Sequence, residues 1–520
     1  MLRVESYKRG IVLSAGFNIL NKGAVFLNGL LVAYFFGASQ FTDFFFYIYN
    51  SVAILGVFFT SMNSSVLIPE SMRIRNQEGN DKAIAFLNFF IWLYGALMAV
   101  VLLAVLFDPV SFFLSVSNFD AGQIQSSRIL LYLSLPLFVL IPLINLLVDI
   151  LASYKFFAIP MIVGLINGTV SIIFIILFHS GAGIQSVFYG LIVAYFLNFL
   201  LLVFLMKKKL GWRFSLKKTM IGKRIWNNLG FAQLGNVMSA LSLYAPIYIL
   251  SGFSAGIITS LSFAQQLSAL PATLIIYQFS AVIGIKFNEL YSQKKFTEIS
   301  TSFVTTANFL IFIMLPVSVV CFMFPREIMT IVLKRGKFDE AGIEHASLFF
   351  KYLALALPLT AINTLFARLF MASHKIKEAF WYQVLLNGSL ICSIYLSIQH
   401  FGVLGYPFSI LSIYSLNVLF CYFLEKRFFN MIGYYKILKK FALLILINIA
   451  LGAIVFAAVR SLDVANEWLI LMIAVALYGC LLLGANYLFR LNEDVSKYVY
   501  NFFLPIKERI VYHKRNENGI

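Results

Sequence analysis

The chain carries little charge for its length, since only 12% of its 520 residues are Asp, Glu, Lys or Arg. Hydrophobic residues make up 61% of the sequence, and its mean hydropathy is +0.88. A soluble domain cannot bury that much apolar surface. The composition therefore excludes a soluble globular protein and predicts a protein built from membrane spans.

Cysteine and catalytic patterns are also scarce. The four cysteines lie in apolar segments, as small buried side chains do, and indicate neither a disulfide framework nor a metal cluster. The five histidines are scattered, and the common zinc, phosphate-loop, nucleophile-elbow and dinucleotide patterns are missing. We therefore predict no enzyme activity, no catalytic residue, no metal site and no cofactor. A coupling ion of unknown identity stays possible.

Acidic residues are outnumbered, with 22 Asp and Glu against 40 Lys and Arg, for a net charge of +18. Most of the basic residues fall in alternate loops between the apolar segments, above all in residues 207–226. This is the positive-inside pattern, which predicts that both termini and the basic loops are cytoplasmic. The charge is thus explained by membrane orientation, and nucleic acid is not an expected partner.

The apolar segments predict an all-α polytopic membrane protein, because a spanning helix needs about 20 apolar residues. Fourteen segments meet this length. They cover residues 11–36, 43–69, 83–107, 128–153, 157–178, 183–206, 227–253, 256–285, 301–324, 346–371, 378–399, 402–424, 440–459 and 466–489.

The second half of the chain repeats features of the first about 220 residues later. Ala152–Lys155 returns as Ala372–Lys375, and Asn167–Thr169 returns as Asn387–Ser389. Six spans are an even number, so both halves insert in the same orientation, as in transporters built from parallel repeats. The predicted domains are an N-lobe (1–206), a basic interfacial linker (207–226), a C-lobe (227–425), and two further spans with a cytoplasmic tail (426–520).

Polar side chains recur at helical spacing inside three spans. Span 1 has Asn18, Asn21, Lys22 and Asn28, span 2 has Asp43 and Asn50, and span 8 has Gln265 and Gln266. An ionisable residue in a span is costly unless it faces a cavity or a partner. These residues are therefore predicted to line a transport cavity, with Asp43 orienting Lys22 or holding span 2 in register. Hydrogen bonding between helices is the simpler alternative.

Two further charge patterns have two interpretations each. Asp149 and Arg368 occupy nearly equivalent repeat positions, so they either pair as an inner gate or reach separately to the membrane surface. Residues 325–345 mix both charge signs in an external segment. This segment is either an amphipathic helix with its own ion pairs or, through Arg335 and Lys337, a contact for an anionic head group.

Several runs of sequence resemble the MurJ/MviN lipid II flippase family. They are Phe36–Ser39 (FGAS), Thr42–Phe46 (TDFFF), Ile68–Glu70 (IPE), Leu333–Phe338 (LKRGKF) and Ala354–Pro358 (ALALP). The resemblance covers nearly the whole chain. It implies membership of the wider multidrug/oligosaccharidyl-lipid/polysaccharide exporter superfamily, and an alternating-access flippase that carries a polyprenyl-diphosphate-linked glycan to the outer leaflet.

The resemblance also implies arginines around the central cavity, which suit a diphosphate because the guanidinium group binds phosphate oxygens in pairs. This chain has Lys22 and Asn28 at the two span 1 positions, no cation within Leu55–Val57 of span 2, and Gln266 in span 8. Either the cargo has a different head group, or Lys22 with neutral amides suffices.

We therefore predict a flippase for a lipid II-like precursor of cell-wall or surface polysaccharide, in the cytoplasmic membrane of a bacterium. Lys22 would contact the diphosphate, and Asn18, Asn21, Asn28, Asn50, Gln265 and Gln266 would bind sugar or phosphate oxygens. The expected partners are the lipid-linked glycan, membrane lipids and glycan-synthesis enzymes. The alternatives are a cation-coupled multidrug exporter of MATE type and a non-transporting membrane scaffold.

Overall fold

The computed structural model describes residues 7–156, 158–215, 221–373, 375–430, 432–462, 464, 466–493 and 495, while the side chains of residues 7–19 lie outside the described part. Over these residues the chain is helical, without a β-strand, as predicted. The α-helices are Tyr7–Phe36 (α1), Gln40–Met62 (α2), Ile68–Glu78 (α3), Asn80–Phe107 (α4), Pro109–Val116 (α5), Ala121–Ser126 (α6), Arg128–Ser153 (α7), Ile159–Ala182 (α8), Gln185–Leu210 (α9), Lys223–Leu250 (α10), Ile257–Pro271 (α11), Tyr277–Ser292 (α12), Phe296–Met323 (α13), Pro325–Leu333 (α14), Glu340–Ala354 (α15), Leu357–Ala372 (α16), Ile376–Phe401 (α17), Gly405–Leu424 (α18), Tyr435–Ser461 (α19) and Glu467–Phe489 (α20).

The all-helical membrane fold is confirmed, while the count of fourteen spans is not confirmed. Each of the fourteen predicted segments overlaps a helix. Among the described residues, however, ten helical stretches are long and apolar enough to cross a membrane, or eleven if α15 and α16, bent by 47°, form one span. The apolar described part of α1 is short, α10 is rich in amides, and Lys377–Phe429 counts as one stretch although it contains two predicted spans.

Two of the long helices contain a π-helical turn that joins two α-helices, and a third π-helical turn, Glu425–Phe429, follows α18. Asn63–Leu67 joins α2 to α3, and Ala272–Ile276 joins α11 to α12. A π-turn widens the helix by one residue and is common at functional positions. These two turns lie in spans 2 and 8, which occupy corresponding positions in the sequence repeat.

The chain divides into two compact units. The first unit holds the residues up to Phe263, together with Val332–Ala346 and Phe380–Tyr406. The second unit holds Ala264–Ile331, Ser347–Ala379 and the described residues from Pro407 onward. The lobe boundaries taken from the sequence repeat remain a prediction.

The core of the first unit lies among α2, α4, α7 and α9. Phe59, Phe90 and Tyr94 are buried there, and the Phe59 and Tyr94 ring centroids are 4.6 Å apart. The linker joins this core, because Trp212 is buried and donates a hydrogen bond from Nε1 to Asn88 Oδ1 over 2.8 Å. The chain after α9 therefore packs against α4 before residues 216–220, which lie outside the described part.

The core of the second unit lies among α13, α16 and α19 and the segment before α19. Phe303, Phe366 and Tyr434 are fully buried and contact one another, with ring centroids 5.9 to 6.5 Å apart. Arg460 of α19 donates a hydrogen bond to the buried Glu327 carboxylate of α14 over 2.6 Å. This pair links α14 to α19.

Candidate functional site

The polar stripe of α1 lies beside α8. Lys22 is exposed, Asn21 and Asn28 are half-buried, and the Asn18 side chain lies outside the described residues. Gly164 of α8 lets Asn21 approach, since a Cβ at Gly164 would lie 2.6 Å from Asn21 Nδ2. The buried Oδ1 of Asn21 has no hydrogen-bond partner among the described residues. The close contact places Asn21 against α8, whereas the neighbouring Lys22 side chain is exposed.

The polar face of α2 contacts the beginning of α11 within the first unit. Asn50 donates a hydrogen bond from Nδ2 to Ser262 Oγ over 3.1 Å. Helix-to-helix hydrogen bonding, the simpler alternative in the sequence analysis, therefore describes Asn50 in this conformation. Its role in binding cargo remains a prediction.

Asp43 is buried and accepts three hydrogen bonds from the start of α11. The Gly256 amide donates to Oδ2 over 2.6 Å, while the amide and hydroxyl of Thr259 donate to Oδ1 over 2.7 and 2.6 Å. A carboxylate at a helix N-terminus satisfies free amide groups and interacts favourably with the helix dipole. These bonds place Asp43 of α2 against the start of α11. Its two predicted roles, to orient Lys22 or to hold span 2 in register, stay predictions.

Three of the family-like runs of sequence, FGAS, TDFFF and LKRGKF, contact one another near Asp43. Thr42 Oγ1 lies 3.0 Å from Thr259 Oγ1 and donates to the carbonyl of Gly37 over 3.1 Å. The Lys337 amide donates to the Tyr34 carbonyl over 2.9 Å. Gly336 has a φ of +64° and packs so tightly on Tyr34 that a side chain there would overlap its carbonyl. The FGAS, TDFFF and LKRGKF runs therefore pack together. We call this group the Asp43 cluster, and its residues are Tyr34, Gly37, Thr42, Asp43, Gly256, Thr259, Gly336 and Lys337.

Asp149 and Arg368 each have a partner in their own unit. Asp149 Oδ2 accepts a hydrogen bond from Asn63 Nδ2 over 2.8 Å, at the first residue of the π-turn after α2. Tyr94 donates to the Oδ1 of the same Asn63 over 2.8 Å. In the second unit, Arg368 Nε donates to Ser280 Oγ over 3.1 Å. The predicted pairing of Asp149 with Arg368 stays a prediction.

The remaining predicted residues lie in α11 and in the turn between α14 and α15. Gln265 and Gln266 are half-buried in the middle of α11, in the part assigned to the second unit. Arg335 and Lys337 are exposed in the turn between α14 and α15. Lys334 next to them pairs with Glu340 over 3.2 Å, as the interpretation with internal ion pairs predicts for this segment. Contact with an anionic head group is untested.

A cavity of about 480 Å³ opens within the first unit between α2, α7 and α9. Its volume is typical of small-molecule sites, which occupy about 300 to 1,000 Å³. Six lining residues are polar and four are apolar or glycine, and none is charged. The lining is Tyr49, Ala53, Gly56, Val57, Thr60, Ser61, Ser64, Ile141, Asn145 and Tyr195.

The sequence analysis missed several residues that organise these sites. Thr259 was missed because the sequence does not say which span faces Asp43. Asn63 and Asn145 carried a usable signal, since each is an amide inside an apolar segment. The tyrosines of the cavity carried none, because aromatic residues are frequent throughout this chain, with 26 Tyr and 55 Phe.

Comparison with known families gives one match over most of the chain. The family model of lipid II flippase MurJ matches residues 32–479. The matched region includes every family-like run of sequence and the three π-turns of the described residues. It begins after Lys22 and Asn28, so the polar stripe of α1 lies outside it.

Two relatives in bacteria carry the same description. A probable lipid II flippase MurJ of Buchnera aphidicola subsp. Schizaphis graminum is 26% identical over 342 residues, which span 61% of this chain and 63% of that protein. A probable lipid II flippase MurJ of Borreliella burgdorferi is 24% identical over 385 residues, which span 72% of this chain and 74% of that protein. The first match thus covers somewhat less than two thirds of the relative's length.

Solved structures show the same fold. A lipid II flippase MurJ in an inward closed conformation has a TM-score of 0.77 and 17% identity, over 92% of this chain and 99% of that chain. An inward-facing MATE family transporter of the MOP superfamily has a TM-score of 0.63 and 14% identity, over 78% of this chain and 95% of that chain. With a multi-span helical fold and a family match over residues 32–479, this chain belongs to the lipid II flippase MurJ family.

Proposed function

We propose that this protein moves lipid II from the inner to the outer leaflet of the bacterial cytoplasmic membrane by alternating access. The family match over residues 32–479 carries this proposal. The matched relatives are named as lipid II flippases, and the basic loops place both termini in the cytoplasm by the positive-inside rule. Lipid II and membrane lipids are then its partners, and glycan-synthesis enzymes that bind the basic loops are a further proposal.

The cationic contact of the cargo is assigned to Lys22. Its exposed ammonium is available to a diphosphate, and Asn21 and Asn28 on the same helix supply amide groups beside it. Asn18, Asn50, Gln265 and Gln266 would add uncharged hydrogen bonds to the cargo during the transport cycle. Lysine can serve here because it binds phosphate as a point charge and does not need the paired geometry of arginine.

The Asp43 cluster is proposed to keep the transport path closed on the external side of the membrane. Buried hydrogen bonds join the end of α1, the beginning of α2 and the beginning of α11, and the Lys337 amide joins the Gly336–Lys337 turn to Tyr34 of α1. Opening to the outside would separate α2 from α11 and expose the Asp43 carboxylate to water. Because water replaces the lost hydrogen bonds, the two states can differ by only a few kcal/mol, as a transport cycle requires.

Depletion of the protein in its host tests the proposed cargo. If it flips lipid II, lipid II accumulates facing the cytoplasm, as measured by mass spectrometry of polyprenyl-linked intermediates and a probe of leaflet location. Accumulation of another lipid-linked glycan with lipid II unchanged would reject lipid II as the cargo and retain the flippase. Unchanged levels of all such lipids would reject both.

The inner gate is tested by exchanging charges. We expect Asp149→Arg and Arg368→Asp each to abolish transport, and the double variant to restore at least part of it, because only the double variant keeps one opposite pair. Transport is measured at matched expression. An inactive double variant would contradict the pair and favour the separate contacts with Asn63 and Ser280.

A further inference from the structure

The cavity of the first unit is uncharged, and its six polar residues lie among apolar surface that makes up most of the lining. Its polar lining consists of two phenols, three aliphatic hydroxyls and one carboxamide: Tyr49, Tyr195, Thr60, Ser61, Ser64 and Asn145. Hydroxyl and amide groups both donate and accept hydrogen bonds, whereas ammonium and guanidinium groups only donate. The lining therefore matches a neutral ligand that presents both donors and acceptors.

An anionic ligand does not fit this cavity. A diphosphate removed from water needs cations or several charge-assisted hydrogen bonds to offset its desolvation. The lining offers no Lys, Arg or His, and Gly56 and Val57 occupy the stretch of span 2 where the family resemblance implies an arginine. The diphosphate of a lipid-linked cargo must consequently bind elsewhere.

The shape of the cavity is set by close contact between α2 and α7. Gly56 lies so near α7 that a Cβ there would be 3.0 Å from Ile141 Cγ2, and Asn145 Nδ2 donates to the Gly56 carbonyl over 3.4 Å. The exposed residues Val57 and Ser64 mark the opening. The Tyr49 and Tyr195 rings supply flat apolar surfaces of the kind that pack against the C–H faces of a sugar.

We propose that this cavity binds the sugar part of the cargo through neutral hydroxyl, amide and ring contacts. This inference rests on the proposed function and deepens it, because it separates recognition of the glycan from recognition of the diphosphate. The first is assigned to α2, α7 and α9, and the second to Lys22. The protein then distinguishes cargo lipids by their sugars at a site that does not use charge.

Binding measurements on the purified full-length protein in lipid nanodiscs test the sugar site. The two ligands are lipid II and a polyprenyl diphosphate without a sugar. Thr60→Val and Tyr195→Phe each remove one hydroxyl and keep the shape of the side chain. We expect each to weaken lipid II binding by about 10-fold, since a lost hydrogen bond in a buried site costs about 1.4 kcal/mol, and to leave binding of the sugar-free lipid unchanged.

Thr169→Val is the matched control, because Thr169 is an exposed helical threonine whose hydroxyl bonds only to its own helix in the described contacts, at Leu165. It should bind both lipids as the wild type does, and thermal unfolding should show that all three variants are folded. Equal weakening for both lipids, or no weakening for either, would overturn the sugar site.

The same experiment separates failure of the sugar site from failure of the proposed cargo. If the wild type does not bind lipid II but binds another polyprenyl-diphosphate glycan, and Thr60→Val weakens that binding, lipid II is the wrong cargo and the sugar site stands. If the wild type binds lipid II and both variants bind it equally well, the cargo stands and the sugar site is wrong. Binding of neither class of glycan would overturn both.

Discussion

The Asp43→Asn protein is expected to lose transport. Asparagine keeps the size of the side chain but turns one acceptor oxygen into an NH₂ donor, while the Gly256 amide, the Thr259 amide and the Thr259 hydroxyl all donate toward this position. At least one donor then loses its partner in a buried site, at a cost of about 2 to 4 kcal/mol to the closed form. The readouts are lipid II flipping in cells depleted of the native protein, and thermal unfolding of the purified protein.

The control for Asp43 is Asp108→Asn, because Asp108 also accepts a hydrogen bond at the start of a helix, from the Ser111 amide over 3.1 Å, but in an exposed position. Asparagine caps a helix about as well as aspartate, so transport and stability should stay at wild-type values. Thr259→Val removes only the hydroxyl and should have a smaller effect than Asp43→Asn. Normal flipping by Asp43→Asn at normal expression would contradict the proposed role of the cluster.

The Lys22→Ala protein is likewise expected to lose transport, whereas Lys22→Arg should keep it. Lys22 is the one cation of the α1 stripe, and its ammonium is exposed where the diphosphate is proposed to bind. Without it, the diphosphate has only neutral amides along this helix, and a charge-assisted contact to phosphate is about twice as strong as a neutral one. Flipping of lipid II in depleted cells measures the effect at matched expression.

Lys82→Ala is the matched surface control. Lys82 is exposed, and its ammonium lies 3.4 Å from the carboxylate of Glu78 at the end of the preceding helix. An exposed ion pair of this kind contributes little to stability. Its removal should change neither transport nor the amount of folded protein. Wild-type transport by Lys22→Ala would remove the cationic contact from the mechanism.

Much of the fold is predictable from the sequence because membranes impose strong local rules. A span must be helical and apolar over about 20 residues, so composition and hydropathy locate helices without knowledge of their neighbours. The number of spans was harder to predict than the positions of the helices. The amides of α10 lower its hydropathy, and α15 and α16 are bent against each other. The family could be inferred since FGAS, TDFFF and LKRGKF are fixed by tight packing around Asp43.

The sites were predictable only in part. The sequence located the polar stripes of α1 and α2, because helical spacing tells which residues share a face. It did not tell that Asp43 contacts α11 or that Asn63 contacts Asp149, since a helical repeat defines a face and not the helix that packs on it.

The sequence by itself determined that this protein is helical, spans a membrane, carries most of its basic charge on one side and belongs among the flippases, because each of these properties depends on local composition or on short runs of residues. Only the tertiary structure decided that Asp43 of the TDFFF run is buried against α11, that Gly37 of the FGAS run packs on Lys337 of the LKRGKF run, and that Tyr49, Thr60, Asn145 and Tyr195 line one uncharged cavity. These contacts join residues far apart in the sequence, such as Asp43 and Thr259, which are 216 positions apart. Such contacts follow from how helices pack, which no single helix encodes.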